Sequence, residues 1–156
     1  MSSKLDFEKP GYMSHALDAA GAALNRDEVP VGAVVVHHPS GRIVARAGNM
    51  TNSRNDPTGH AEILALRQAG LALGSARLPE CDLYVTLEPC AMCAGAISHA
   101  RIRRLYYGAG DPKGGAVENG VRFFQQPTCH HSPEVYPGID AERAAELLRT
   151  FFQRKR

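Results

Sequence analysis

Two short stretches hold side chains whose types and spacing could do chemistry: Asp56-Pro57-Thr58-Gly59-His60-Ala61-Glu62 and Thr86-Leu87-Glu88-Pro89-Cys90-Ala91-Met92-Cys93. The imidazole of His60 and the thiolates of Cys90 and Cys93 are soft-to-borderline ligands that suit zinc. Three protein ligands leave one tetrahedral position open for water, the arrangement of a catalytic rather than a structural site. Glu62 lies two residues past His60. From there its carboxylate can reach a zinc-activated water without binding the metal, which is where a proton shuttle belongs.

Both stretches must be held by the chain, and each reads as a loop that opens a helix. Pro57-Thr58 precedes an apolar run through Ala61, Ile63, Leu64 and Leu66, and Pro89 precedes Cys90 to Ile97. Two helix amino-termini aimed at one metal bring partial positive charge and free amides beside the cysteines, favouring thiolates.

The His-Ala-Glu and Pro-Cys-x-x-Cys elements resemble the zinc-dependent nucleobase deaminases. Their neighbours narrow the likeness: Asp27-Glu28-Val29-Pro30-Val31-Gly32-Ala33-Val34, Gly48-Asn49, Leu83-Tyr84-Val85, Ala100-Arg101-Ile102 and Gly108-Ala109-Gly110-Asp111-Pro112-Lys113-Gly114-Gly115-Ala116. From about Tyr12 to the carboxy-terminal helix the chain resembles the family of bacterial tRNA adenosine deaminases, which convert the wobble adenosine of an anticodon to inosine. The resemblance implies a three-layer α/β/α cytidine deaminase-like fold around a mixed five-stranded sheet, with one zinc ion per subunit. It also implies a base pocket of Asn49, Val31, Ala61 and Pro89, with Asp111 touching the sugar of a flanking nucleotide and Lys113 facing phosphate. A tRNA anticodon stem-loop as partner and a homodimer in which both subunits shape the RNA surface follow from the same likeness.

Composition sets the outer bounds. At 156 residues one domain accommodates the whole chain, with enough core to fold without disulfides. The first ten residues are polar and mixed, and nowhere do about 18 apolar residues run unbroken, so a soluble cytoplasmic protein with no membrane partner is expected. Of four cysteines, two belong to the metal pattern, and Cys81 and Cys129 read as free thiols. A net charge of +2 does not by itself announce a nucleic-acid binder. Two local basic groupings, one of Arg101, Arg103, Arg104 and Lys113 with only Asp111 opposing them and the other Arg154-Lys155-Arg156, could line a phosphate-binding face.

The remaining elements form a frame. Met13, Ala16, Leu17, Ala20 and Leu24 repeat at helical spacing over residues 12–25. Val31 to Val36 reads as a strand covered on both faces, and Pro39-Ser40-Gly41 turns it into a hairpin partner containing Ile43, Val44 and Ala47. The helix from His60 to Leu73 is apolar on most sides and therefore expected inside a layer. Strands at residues 83–87 and 102–107 around the second ligand helix predict a parallel crossover. Ala144, Leu147, Leu148, Phe151 and Phe152 give a final helix a buried stripe, while Met92, Ile97, Tyr106 and Tyr107 are left as either core or interface. Cys129-His130-His131 is set aside as a second metal site, because adjacent ligands seldom close one tetrahedron.

Three functions fit the zinc pattern. Hydrolytic deamination of the wobble adenosine is favoured by the surrounding sequence. A deaminase of a free base, nucleoside or nucleotide, of guanine or cytosine type, would share the metal signature. A non-catalytic zinc-stabilised RNA-binding module would need a fourth ligand and no Glu62.

Overall fold

The computed structural model describes residues 11–155, so the polar leading segment and Arg156 of the terminal basic run lie outside the described residues. Five strands form one mixed sheet in the order β2-β1-β3-β4-β5: β1 (Gly32–His37), β2 (Arg42–Gly48), β3 (Cys81–Leu87), β4 (Arg104–Ala109) and β5 (Glu134–Tyr136). Helices α1 (Gly11–Asn25), α2 (Ala61–Leu73), α3 (Ala91–Ala100) and α4 (Ala141–Arg154) cover it. The expected α/β/α layering is present.

The β-branched run of β1 occupies the sheet interior, antiparallel to β2 on one side and to β3 on the other. Val34 and Val36 face Met13, Leu17, Tyr84 and Tyr106 beneath α1 and α4, while Ala33 and Val35 face Leu64, Leu83, Ile97 and Leu105 beneath α2 and α3. Alternation along one strand therefore feeds two apolar layers, the pattern of a strand covered on both faces. Gly32 sets the approach of α1, because a Cβ there would lie 2.0 Å from the Ala16 carbonyl oxygen. β3, α3 and β4 make the expected crossover, with β3 and β4 parallel in register from Asp82↔Arg104 to Leu87↔Ala109. Consequently the chain leaves β3 towards Cys90 and leaves β4 towards Asp111 at the same edge of the sheet. Ligands gather at such carboxyl ends of parallel strands.

Several expectations change. Ile97, Tyr106 and Tyr107 are core, whereas Met92 is 37% exposed. Helix α2 buries Ala61, Glu62, Leu64, Ala65 and Ala69 but leaves Leu71 87% exposed, so it is not apolar on most sides because it is internal. The stripe of α4 is likewise only part core: Ala144 and Phe151 are buried and Phe152 is exposed. The first basic run is largely spoken for within the fold. Arg103 makes a two-pronged pair with Asp82 at 2.9 and 2.7 Å, and Arg104 pairs with Glu134 at 2.7 Å while lying over the Tyr136 ring. Lys155 of the terminal run reaches Asp27 at 2.8 Å. Among the described residues no helix is long and apolar enough to cross a membrane.

Candidate active site

His60 and Cys90 stand at the amino-terminal caps of α2 and α3, both with extended backbone, and Cys93 follows in the first turn of α3. His60 Nδ1 lies 3.7 Å from Cys90 Sγ and 3.5 Å from Cys93 Sγ. Tetrahedral zinc with bonds of about 2.05 Å to nitrogen and about 2.3 Å to sulfur requires an N···S edge of about 3.6 Å. The donor set and its spacing therefore fit zinc, and this is the one group of three or more metal-ligating side chains found among the described residues. All four cysteines are free of disulfides, as expected.

Glu62 sits one residue into α2 and is buried, within hydrogen-bonding reach of the Cys93 thiol. Burial pushes its carboxyl up to about 7, a value at which a carboxyl group can both take and give a proton near neutrality. A hydrogen bond from Cys93, with further help from His60, draws the Cys90 thiol down to about 4, while sharing that proton with Cys90 holds Cys93 high.

His60, Glu62 and Cys90 line a cavity of about 260 Å³ whose walls also include Val29, Val31, Asn49, Ala61, Leu87 and Asp111, while Cys93 is fully buried beside it. Four of the expected substrate-binding residues, Asn49, Val31, Ala61 and Asp111, thus meet in one pocket. Lys113 instead lines an adjoining recess with Val29, Leu148 and Phe152. Pro89 is buried behind the wall, where its carbonyl accepts the Ala116 N–H at 2.9 Å. The Cys129-His130-His131 run is tied into the fold: the Cys129 thiol donates to the His131 carbonyl at 3.2 Å, and His131 Nε2 lies 2.7 Å from the Ile102 carbonyl.

Two buried carboxylates, Glu28 and Glu88, hold the pocket loops, and neither role was visible in side-chain identity. Glu28 is fully buried and accepts from the N–H groups of Asn52 and Ser53, from the hydroxyls of Ser53 and Thr51, and from Asn49 Nδ2 at 3.4 Å. It thereby fixes the Asn49 side chain and residues 51–53 at the pocket wall. An acid set in the apolar stretch Glu28-Val29-Pro30-Val31 was the available signal. Burial raises the Glu28 carboxyl, but the hydrogen bonds from Ser53, Asn52 and Thr51 outweigh it and leave it below its ordinary 4.5. Such a group binds its proton more readily in the unfolded chain. Its stabilisation is therefore complete above about pH 4.5 and fades as acid protonates the folded form. Glu28→Gln is expected to lower stability by about 2 kcal/mol at neutral pH. The gap to wild type should narrow below pH 4.5 in thermal melts taken across pH; a gap that widens on acidification would contradict this reading.

With the geometry in place, the relatives can be compared. Residues 8–109 match the cytidine and deoxycytidylate deaminase zinc-binding region, and the chain belongs to that zinc-dependent deaminase family. Within it the chain groups with the tRNA-specific adenosine deaminases. It is 62% identical over 149 residues to the tRNA-specific adenosine deaminase of Agrobacterium fabrum, covering 96% of this chain and 97% of the relative. The Bacillus subtilis tRNA-specific adenosine deaminase is 41% identical, covering 93% of this chain and 89% of the relative. A solved tRNA:A34 deaminase, studied for A-to-I editing at the wobble position of transfer RNA, superposes with a TM-score of 0.85 at 64% identity, covering 88% of this chain and 98% of its own. A guanine deaminase from Nitrosomonas europaea shares the fold at a TM-score of 0.79 with 25% identity, covering 92% of this chain and 84% of its own.

Proposed function

We propose that this chain, working as a single domain, hydrolyses the 6-amino group of the wobble adenosine in tRNA anticodon loops to give inosine and ammonia. The observation that carries this reading is a three-ligand zinc site with Glu62 beside it, at the floor of a cavity of about 260 Å³. That volume is below the about 300–1,000 Å³ usual for drug-sized ligands and suits one splayed-out base. A single-stranded anticodon loop yields such a base at the least cost in unstacking.

When bound by His60, Cys90 and Cys93, zinc supplies the Lewis acid that makes water a nucleophile near neutral pH. Glu62 accepts the proton of that water, passes it to ring nitrogen N1, and later protonates the departing amine. Oxygen from water ends on C6, the C6–N6 bond breaks, and the nitrogen leaves as ammonia. Asn49, held by Glu28 and Thr51, orients the base from the wall. Ala61 opens α2 and lines the pocket, and its backbone N–H serves as a donor for developing negative charge. Asp111 contacts the sugar of a flanking nucleotide, and Lys113 meets a phosphate beside it.

Because Arg103 and Arg104 are paired internally, docking falls to fewer cations than the sequence suggests. Exposed Arg54, Lys113 and Arg154 stand on the Asn49 loop, on the Asp111 loop and just past Phe152. Neutralising about three phosphates of a single strand should raise the KM for an anticodon stem-loop about twentyfold between 50 and 200 mM salt. A salt-independent KM would count against docking through these side chains.

The chain also pairs with a second copy through the face that α2 leaves open. There Ile63, Leu66, Leu71, Ala96 and Ala100 line an apolar groove of about 920 Å³ with Leu71 87% exposed, and a second copy covers it. Sedimentation should find a dimer in wild type and a folded monomer in Leu71→Asp; a wild-type monomer at micromolar concentration would overturn the pairing. A tRNA partner places the protein in the cytoplasm.

A further inference from the structure

Glu88 directly follows β3, two residues before Cys90, and is 2% exposed. Among the described residues its hydrogen-bond donors are backbone amides and the Asn119 side chain, with no arginine or lysine among them. Oε1 accepts the Asp111 N–H at 2.9 Å and Asn119 Nδ2 at 2.7 Å. Oε2 accepts the N–H groups of Val117 at 3.0 Å, Glu118 at 2.9 Å and Asn119 at 3.1 Å. The chain between residues 111 and 119 is thus folded around one carboxylate, as loops elsewhere fold around a bound anion. Gly115 permits this approach: a Cβ there would lie 2.4 Å from Glu88 Cδ.

The same loop carries the pocket rim. Asp111 Oδ1 accepts from the N–H groups of Lys113 and Gly114, so fixing the Asp111 backbone also fixes the turn presenting Lys113. Tyr107, buried in β4, donates to Glu118 at 2.6 Å and tethers the far end of the loop. Glu88 is meanwhile locked to the sheet by its own N–H, which donates to the Ala109 carbonyl at 2.8 Å. The strand end that delivers Cys90 to the metal therefore also delivers the carboxylate that sets the height and slope of the rim.

We propose that Glu88 is a positioning residue for RNA: it holds Asp111 and Lys113 in register with the metal centre, so that grip on the anticodon loop, rather than proton transfer, depends on it. This rests on the RNA reading given above. A carboxylate serves better than an amide here because every group facing it is a donor. Glutamine would turn an NH₂ towards backbone N–H groups and leave them unsatisfied.

The test uses zinc-loaded full-length Glu88→Gln and, as a second variant, Gly115→Ala, which pushes the loop away while leaving the carboxylate intact. In both, the KM for an anticodon stem-loop should rise about tenfold or more while kcat at saturation stays within about threefold, and zinc content should be unchanged. Hydrogen exchange, without RNA present, should quicken at the amides of residues 111 and 117–119 in Glu88→Gln. Should Glu88→Gln fail to fold, Gly115→Ala decides alone. A kcat loss at constant KM, or an unchanged KM in a folded Gly115→Ala protein, overturns the proposal. If wild type does not turn over the stem-loop, the RNA reading fails, and unchanged exchange would then separately sink the role of Glu88 in holding the loop.

Discussion

Replacing Glu62 by alanine is expected to cut turnover by about 10³- to 10⁴-fold while leaving zinc in place. The argument is geometric. Glu62 lies two residues past the ligand cap His60 and lines the same pocket as His60 and Cys90. It is buried, yet His60, Cys90 and Cys93 already make up a ligand set with catalytic spacing, so the metal has no need of it. Burial pushes its carboxyl to about 7, where it can both accept and release a proton near neutrality. Removing it takes away both the acceptor of the first proton and the donor of the later ones. Metal analysis and single-turnover kinetics on the zinc-loaded variant check the prediction. Substantial turnover by metal-replete Glu62→Ala would reassign the proton transfers.

Loss of any one ligand should have the opposite signature, with metal and activity disappearing together. Cys90→Ala, Cys93→Ala and His60→Ala leave two protein ligands each, and turnover should fall to background, at least about 10⁴-fold below wild type. The fold should survive. The two ligand helices are anchored by Leu64, Ala65, Ala94 and Ile97, all buried, and Leu64, Ala65 and Ile97 pack in one apolar core with the sheet residues Val35, Leu83, Val85 and Leu105. Wild-type protein stripped by a chelator should likewise retain its circular dichroism, lose activity, and regain it on addition of zinc. Zinc-free protein with full activity would contradict the assignment of the site.

The contrast between these variants reflects what the sequence could and could not disclose. His60, Cys90, Cys93 and Glu62 were legible because ligand chemistry is local: soft donors at short spacing, each beside a helix start, leave few other readings. The crossover from β3 through α3 to β4 was legible for a similar reason, since hydrophobic pattern and turn signals lie within a few residues of each other. Misreadings came from partners far along the chain. Arg103 and Arg104 looked like a free basic face, but Asp82 and Glu134, which neutralise them, lie 21 and 30 residues away. The apolar faces of α2 read as internal from sequence, because periodicity cannot distinguish a core surface from one that is left open. β5 is three residues long, too short for alternation to register. The loop-holding roles of Glu28 and Glu88 are not legible in sequence because their partners are mostly backbone amides, which every residue supplies and no residue type advertises.

The pocket makes the same point from the other direction. Asn49, Val31, Ala61 and Asp111 come from four separate segments, and only the parallel register of β3 and β4 together with the β1–β2 hairpin brings them to one edge. Resemblance named them; sheet topology explains why they meet.

The decisive measurement is deamination by zinc-loaded protein offered, in parallel, an anticodon stem-loop with adenosine at the wobble position and free guanine, cytosine, adenosine and cytidine, with Glu62→Ala as control. Inosine at the wobble position of the stem-loop alone, absent in the variant, is the expected result. Ammonia released from a free base or nucleoside, with the stem-loop untouched, would keep the zinc chemistry and contradict the RNA substrate.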